Sequence, residues 1–413
     1  MPRSVHLLAL GIFAMVTSEL LVGGLMPQMS EDLGVTIPQI GYLITAFALA
    51  MALGGPPATL AVLRLRTDRA LLVLFLVFLV GNALAAVSHS YWLMLVARVV
   101  TGAASGAFFG VALSAVAQVT APHLRGRATG AALQGLMVGT LLGLPLSTLI
   151  GGRLGWRAAF VAVGVLTVVV MVATALALPR LERAGKAGDL RGELTVFRTS
   201  HLWAVMATST LIIGATFAAF SYFTPILTEV TGFSRDVVPL LLLGYGAATV
   251  VGNTVVGRLA MSHTVTVIVA GLALNTVFLV VFALFADLPV PALLAMAGVG
   301  LVGITLNPAM VTRVQRAGNA RALVNTAHSS FITLGVVVGS WAGGMGIDAF
   351  GLRAPLWVGA ALALIALLAM VPAALSARRV GHEAADARVP DRSEPRPVPG
   401  GSLSRGAGRG PGQ

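Results

Sequence analysis

The chain has 413 residues, of which 57% are aliphatic or aromatic and only 10% charged, and its mean hydropathy is +0.92; no soluble protein of this length combines these values. It contains no cysteine, which excludes disulfides and thiolate metal sites. A formal charge of +12 would suit a nucleic-acid partner, but the placement of the basic residues assigns that charge to a membrane instead.

Hydrophobic runs of spanning length, about 20 residues each, begin near Val5, Pro38, Ala70, Tyr91, Ala128, Ala158, Leu202, Val237, Val265, Val290, Ala322 and Ala354. They predict an all-α polytopic membrane protein of twelve transmembrane helices. Val5 to Pro27 is long enough to span and reads as the first helix, not as a cleaved signal. Arg64, Arg66, Arg69, Arg125, Arg127, Arg180, Arg183, Lys186, Arg191, Arg198, Arg258, Arg313, Arg316, Arg321, Arg378 and Arg379 fall in every second loop, while the alternate loops hold Arg153, Arg157, Arg235 and Arg353. By the positive-inside rule both termini face the cytoplasm, across the cytoplasmic membrane. The expected organisation is a six-helix bundle over 1–178, a mixed-charge cytoplasmic loop over 179–201, a second six-helix bundle over 202–375, and a Pro, Gly, Arg and Ser-rich tail over 376–413 with too little apolar surface to order itself.

Two ionisable residues lie well inside predicted helices. Glu19 sits about 12 Å below the outer end of helix one, counting back from Pro27, and Arg98 about 10 Å below the same surface, counting from Tyr91. A carboxylate at that depth is costly, which suits a group that loads and releases a proton. A buried guanidinium demands a carboxylate or a wet cavity, and Glu19 is the natural candidate partner. In helix five, Gly139, Gly143, Ser147 and Gly151 recur every fourth residue and form a side-chain-poor ridge for close helix packing, with Pro145 inside it as a bend and hinge.

The two halves superpose in sequence. Adding 196 carries Arg125 to Arg321, Gly139 to Gly335, Gly143 to Gly339, Gly155 to Gly351 and Arg157 to Arg353; adding 198 carries Pro27 to Pro225, Glu31 to Glu229 and Gly34 to Gly232. An even number of helices per repeat makes the repeats parallel, related by an axis along the membrane normal. Glu19, Arg98 and Pro145 map to Phe217, Leu294 and Trp341, so both buried charges and the bend belong to the first half alone.

Arg98, Gly102, Gly106 and Gly110 match an Arg-x-x-x-Gly-x-x-x-Gly pattern; Gly139 to Gly152, Thr17-Ser18-Glu19 with Gly24-Leu25-Met26-Pro27, and Tyr222-Phe223-Thr224-Pro225 with Thr231-Gly232-Phe233 are further signatures. On these the chain, over about residues 5 to 375, resembles the major facilitator superfamily, and within it the twelve-helix drug:proton antiporters of the bacterial chloramphenicol, sugar and nucleoside exporter branch. The resemblance implies two six-helix repeats around a central cavity, Glu19 and Arg98 as the proton-coupling pair, and Gly102, Gly106, Gly139, Gly143, Pro145, Gly151 and Gly152 as helix-packing and hinge positions. Helices one, four, seven and ten of that fold face the cavity, which makes Phe220, Tyr222 and Asn307 candidate cargo contacts. His328 of helix eleven joins them, although His328, Asn253 and Asn275 also suit hydrogen bonds between helices. The chain departs from the family in the loop between helices two and three, where Leu60 to Arg69 lacks the usual acidic position; Asp68 is the residue that could replace it.

The expected function is secondary active transport, namely proton-coupled efflux of a drug-like or secondary-metabolite small molecule. Export of a sugar or nucleoside by the same fold is the alternative within transport, and a non-transporting membrane scaffold or sensor the alternative outside it. No enzyme is expected: the single lysine, Lys186, stands between Gly185 and Ala187, so no phosphate-binding Gly-Lys-Ser/Thr loop exists, and no metal-binding or nucleophilic cluster is apparent. A proton gradient replaces any cofactor, and the expected partners are the cargo and the bilayer, without nucleic acid, around a monomer.

Overall fold

The computed structural model describes residues 3–62, 64–182, 195–260, 262–318 and 322–386, and among them there is no strand. Twelve helices are long and apolar enough to cross a membrane: α1 (Arg3–Leu33), α2 (Ile37–Val62), α3 (Thr67–Ala86), α4 (Tyr91–Val119), α5 (Pro122–Leu154), α6 (Trp156–Ala177), α7 (Ser200–Val230), α8 (Val238–Leu259), α9 (Thr264–Leu284), α10 (Pro289–Ala317), α11 (Val324–Phe350) and α12 (Ala354–Ala373). Met1–Val371 forms one compact unit and Pro372–Gln413 another, of which the described part continues the last helix to Asp386. Most of the expected central loop, including Arg183, Lys186 and Arg191, lies outside the described residues, as do Arg321 and the tail from 387.

Local chemistry places the helix ends. Thr36 closes a capping box with Gln39 at the start of α2, and the Ser90 hydroxyl accepts from the Leu93 amide at the start of α4. Gly34, Gly155, Gly232 and Gly351 adopt φ between +64° and +83°, a left-handed conformation at which a side chain would be strained. They end α1, α5, α7 and α11 and fall into two pairs at the repeat offsets, 34 with 232 and 155 with 351. The parallel six-helix repeat is therefore written into the turns as well as into the helix order.

Within each half the small-residue ladders bring helices together at backbone distance. In the first half α5 lies on α1: a Cβ built on Gly139 would stand 2.9 Å from the Val16 side chain, one on Gly143 3.4 Å from the Thr17 Cα, and one on Gly151 would strike Leu25. In the second half α11 lies on α7 in the same way, with Gly335 against the Thr210 carbonyl, Gly339 against Gly214 and Gly343 against the Ala218 carbonyl. Gly102 and Gly106 on α4 receive the Phe47 and Met51 carbonyls of α2, whose turn at Ala50–Gly54 is widened to a π-helix where it passes over them. Gly152 has nothing within 4 Å of its Cβ direction, so it contributes to no helix contact among the described residues.

Two departures from the expected elements matter for the interior. Helix α1 runs through Pro27 to Leu33, which puts Glu19 about 21 Å from the helix end instead of the 12 Å counted from the proline. Helix α10 is broken: an α-helix over Pro289–Val302 stops at Gly303 and a 3-10 turn over Ile304–Leu306 leads to a second α-helix over Asn307–Ala317. Gly303 permits the break because a Cβ there would stand 2.7 Å from both Thr216 of α7 and the Val299 carbonyl.

The halves meet where α1 and α2 face α7 and α11, and where α5 faces α8. At the end opposite the arginine-rich loops, Glu31 pairs with Arg235, Tyr42 stands against Asp348, and Thr45 Oγ1 lies 2.9 Å from Ser340 Oγ. Tyr222 of α7 fills a slot between Gly41 of α2 and Gly344 of α11 and donates its hydroxyl hydrogen bond to the Ser340 carbonyl at 2.7 Å. Near the middle, the Leu141 carbonyl of α5 abuts Gly246 of α8.

Candidate functional site

The sequence alone fixes where a membrane helix can tolerate a charge only by asking what surrounds it. Arg98 is 1% exposed, and its guanidinium is held entirely by backbone: Nη1 donates to the Ser18 carbonyl at 2.7 Å, Nη2 to the Glu19 carbonyl at 3.1 Å and Nε to the Leu43 carbonyl at 3.4 Å. Its Cζ lies 4.2 Å above the Phe47 ring, a cation–π contact. Ser18 Oγ in turn donates to Asn82 Oδ1 of α3 at 3.2 Å, and Asn82 Nδ2 donates to the Phe78 carbonyl at 2.9 Å. Helices α1 to α4 are thus bolted together at the level of Glu19. No ion pair within 4 Å joins Arg98 to the Glu19 carboxylate; helix carbonyls take the guanidinium's hydrogen bonds, because its fork can reach acceptors on α1 and α2 at once, while the two charges act on each other through space.

This geometry makes Arg98→Met a discriminating substitution. It removes a buried cation without stranding a buried anion, so unfolding of the purified protein in detergent is expected to show a loss of about 1–3 kcal/mol. A loss of about 5 kcal/mol, rescued by adding Glu19→Gln, would instead show that the carboxylate is the true partner.

Glu19 itself points elsewhere. Half-buried on α1, it lines a small pocket with Ile44 of α2, Leu144 of α5, and Phe217, Phe220 and Ser221 of α7. The pocket straddles the two halves, since α7 opens the second repeat. Among the described residues the Glu19 carboxyl takes part in no ion pair and no side-chain hydrogen bond; the resolved pairs are Arg66–Asp68, Arg157–Asp32, Arg235–Glu31 and Arg353–Asp287. Thr17 Oγ1 and Ser221 Oγ, buried beside it in sequence and in space respectively, also lack partners.

A second and larger pocket lies between α5, α8 and α10. Its wall includes Met137, Thr140 and Leu141 from the first half, and Gly246, Thr249, Asn253, Thr305 and Asn307 from the second. The break in α10 delivers Asn307 to this wall, where its Oδ1 is buried without a hydrogen-bond partner. Leu141 is the residue whose carbonyl a helix would normally offer to the amide of residue 145, but Pro145 has no N–H to give. Pro145 is buried, and α5 continues through it to Leu154.

The remaining candidates divide. Phe220 lines the Glu19 pocket, whereas Tyr222, 0% exposed, is the wedge of the interface between α2 and α11 and lines neither pocket. His328 is likewise buried, with Nε2 3.0 Å from Ser209 Oγ, in the packing of α11 on α7. Asn275 was expected to bond a neighbouring helix, yet neither of its amide atoms has a partner, and Asn253 reaches only the Met137 sulfur at 3.7 Å. Asp68 pairs with Arg66 at 3.0 Å and accepts the Leu181 amide at 3.1 Å, so it ties the α2–α3 loop to the end of α6 inside the first half. Thr140, Gly246 and Thr249 were not singled out by sequence reasoning; the signal that could have found them is Pro145, which frees a carbonyl toward α8.

With the geometry in hand, comparison with known proteins gives a consistent answer. Residues 8–331 match the Major Facilitator Superfamily. A chloramphenicol resistance protein of Streptomyces lividans is 32% identical over 90% of this chain and 96% of that protein. A probable sugar efflux transporter of Helicobacter pylori (strain P12) is 27% identical over 88% of this chain and 93% of its own. The crystal structure of a bacterial homolog of the human lysosomal transporter Spinster, in an inward-facing and occupied conformation, superposes with a TM-score of 0.76 at 17% identity, covering 90% of this chain and 97% of that one.

Proposed function

Because this chain belongs to the Major Facilitator Superfamily, a family of membrane transporters, we propose that it couples inward proton flow to the export of a drug-like or secondary-metabolite molecule. The observation that carries this reading is the Glu19 carboxyl, which lines a pocket at the junction of the two halves with no side-chain hydrogen bond and no ion pair within 4 Å among the described residues, and with Arg98 as the nearby charge that acts on it through space. A carboxyl so placed stores a proton at the point that rocking of the halves presents first to one side and then to the other. Arg98 serves as the bolt that holds the α1 backbone while the Glu19 side chain stays free.

The arginine-rich loops give the orientation: both termini in the cytoplasm, in the cytoplasmic membrane. On that orientation the contacts between Glu31 and Arg235, and around Tyr222, join the two halves at the outer end. The chain then needs no cofactor besides the proton gradient, performs no chemistry on its cargo and works as a single copy. Drug export draws on the Streptomyces relative. Sugar export, the printed role of the Helicobacter relative, is the alternative reading.

Everted membrane vesicles test the reading. After acidification of the lumen, adding chloramphenicol is expected to release protons at a rate that saturates with the drug, seen as recovery of a pH-quenched dye, and vesicles lacking the protein are expected to show none. Proton release of equal size with and without the protein would refute it.

A further inference from the structure

Arg98 has more donors than it spends on backbone. A guanidinium offers five N–H groups, and among the described residues Arg98 donates one each from Nη1, Nη2 and Nε to the Ser18, Glu19 and Leu43 carbonyls. The unspent groups stand near a carboxyl of opposite charge, and in an apolar interior such charges attract strongly. Yet the two form no ion pair, so something holds the carboxyl off. We propose that Asn82 of α3 is a positioning residue that, through Ser18, keeps α1 turned so that Glu19 faces the pocket instead of pairing with Arg98. This rests on the reading of Glu19 as the proton carrier and adds what keeps that carboxyl open to a proton.

Ser18 and Glu19 are neighbours on one turn, so their side chains leave α1 about 100° apart, and fixing one fixes the direction of the other. Ser18 Oγ, fully buried, donates to Asn82 Oδ1 at 3.2 Å. The amide can sit only one way round: its nitrogen lies 2.9 Å from the Phe78 carbonyl, which accepts and cannot donate, so the oxygen must face Ser18. Asn82 is itself 1% exposed, and its helix stands hard against α4 at the turn of Arg98. There a Cβ built on Gly81 would lie 2.5 Å from Thr101 Cγ2, and Thr101 Oγ1 donates to the Ala97 and Arg98 carbonyls. The anchor of Ser18 is therefore dry and rigid.

The other contacts of α1 at this level direct its rotation less. Gly139 and Gly143 of α5 meet Val16 and Thr17 as a side-chain-poor ridge, Thr17 Oγ1 has no partner, and Ser105 Oγ reaches only the Met15 sulfur at 3.4 Å, a weak acceptor. Without Asn82 the turn is free to swing the carboxyl onto the unspent N–H groups of Arg98, and a paired carboxylate takes up a proton less readily. No second charge competes. The pocket wall around Glu19 comes from Ile44 of α2, Leu144 of α5, and Phe217, Phe220 and Ser221 of α7, none of them ionisable, and Arg98 of α4 is the charge that acts on it.

The test is infrared titration of the full-length protein in lipid nanodiscs, with Glu19 read as the carboxyl C=O band that Glu19→Gln removes. Asn82→Leu and Ser18→Ala are each expected to move the midpoint of that band about 1–3 pH units toward acid, the range that an arginine beside a carboxylate produces. Because Asn82 acts through Ser18, the double variant is expected to move it no further than either single one. With Arg98→Met in place, neither substitution is expected to move it. Ser18→Ala removes one oxygen and carries the test alone if Asn82→Leu does not fold. An unmoved midpoint, additive shifts, or shifts that persist without Arg98 would overturn the positioning role and leave the proton reading standing. The expected shifts in a protein that shows no chloramphenicol-dependent proton release in vesicles would uphold the positioning role and defeat the coupling reading instead.

Discussion

Glu19→Gln is expected to abolish proton-driven export while leaving the protein folded and able to bind cargo. In the native protein each proton carried contributes about 1.4 kcal/mol per unit of pH gradient, so with one proton per cycle the accumulation ratio of cargo in everted vesicles should rise about tenfold for each unit imposed. Glutamine keeps the shape of the side chain and its place between Leu144, Phe217 and Phe220, but it cannot release a proton. The variant should therefore show a flat dependence on the gradient and catalyse only downhill movement or exchange. Stability should change little, because the carboxyl makes no ion pair that the amide would lose. A variant whose uphill accumulation still tracked the gradient would move the proton site away from Glu19.

Gly41→Leu is expected to prop open the outer end and stop the cycle. A side chain at Gly41 collides with Tyr222, whose hydroxyl and ring already occupy the space between Gly41 and Gly344. Overpacking of this kind amounts to about 1–3 kcal/mol, and since it acts only on the closed outer end, it shifts the balance of states about 5- to 150-fold toward the opened one. The native absence of cysteine makes the measurement direct: a cysteine at Ser340, on the carbonyl that Tyr222 bonds, should be labelled by a membrane-impermeant maleimide at least tenfold faster in the Gly41→Leu background. Export should fall by a similar factor. Adding Tyr222→Ala empties the slot and should restore closure; failure of this rescue would mean that Gly41→Leu damages the fold instead of the gate.

The spans were legible because the bilayer imposes a length and a hydropathy that each helix must meet by itself. The start of α4 at Tyr91 and that of α12 at Ala354 fall where the sequence puts them. The breaks were not legible. No periodicity marks the π-turn over Ala50–Gly54 or the stop at Gly303, and both lie against neighbours: the Gly102 and Gly106 face of α4, and Thr216 of α7. The same reason explains the site. Two intramembrane charges at similar depth suggested each other as partners, but a sequence cannot show that Arg98 reaches three carbonyls on α1 and α2 and leaves the Glu19 carboxyl to the cavity. Aromatic residues at helical spacing could not be sorted either: Phe220 faces a pocket, and Tyr222, two residues on, is wedged into an interface.

A turn that glycine alone enters without strain is found at 34 and 232 and again at 155 and 351, so one corner geometry serves both six-helix halves. The buried charges show no such pairing, since Glu19 and Arg98 answer to Phe217 and Leu294. The two halves thus share the geometry of their corners and differ in their buried charges, which the first half holds. A chimera carrying two first halves would hold two buried carboxyls and no broken α10, so the asymmetry of the molecule lies inside the helices and its symmetry at their ends.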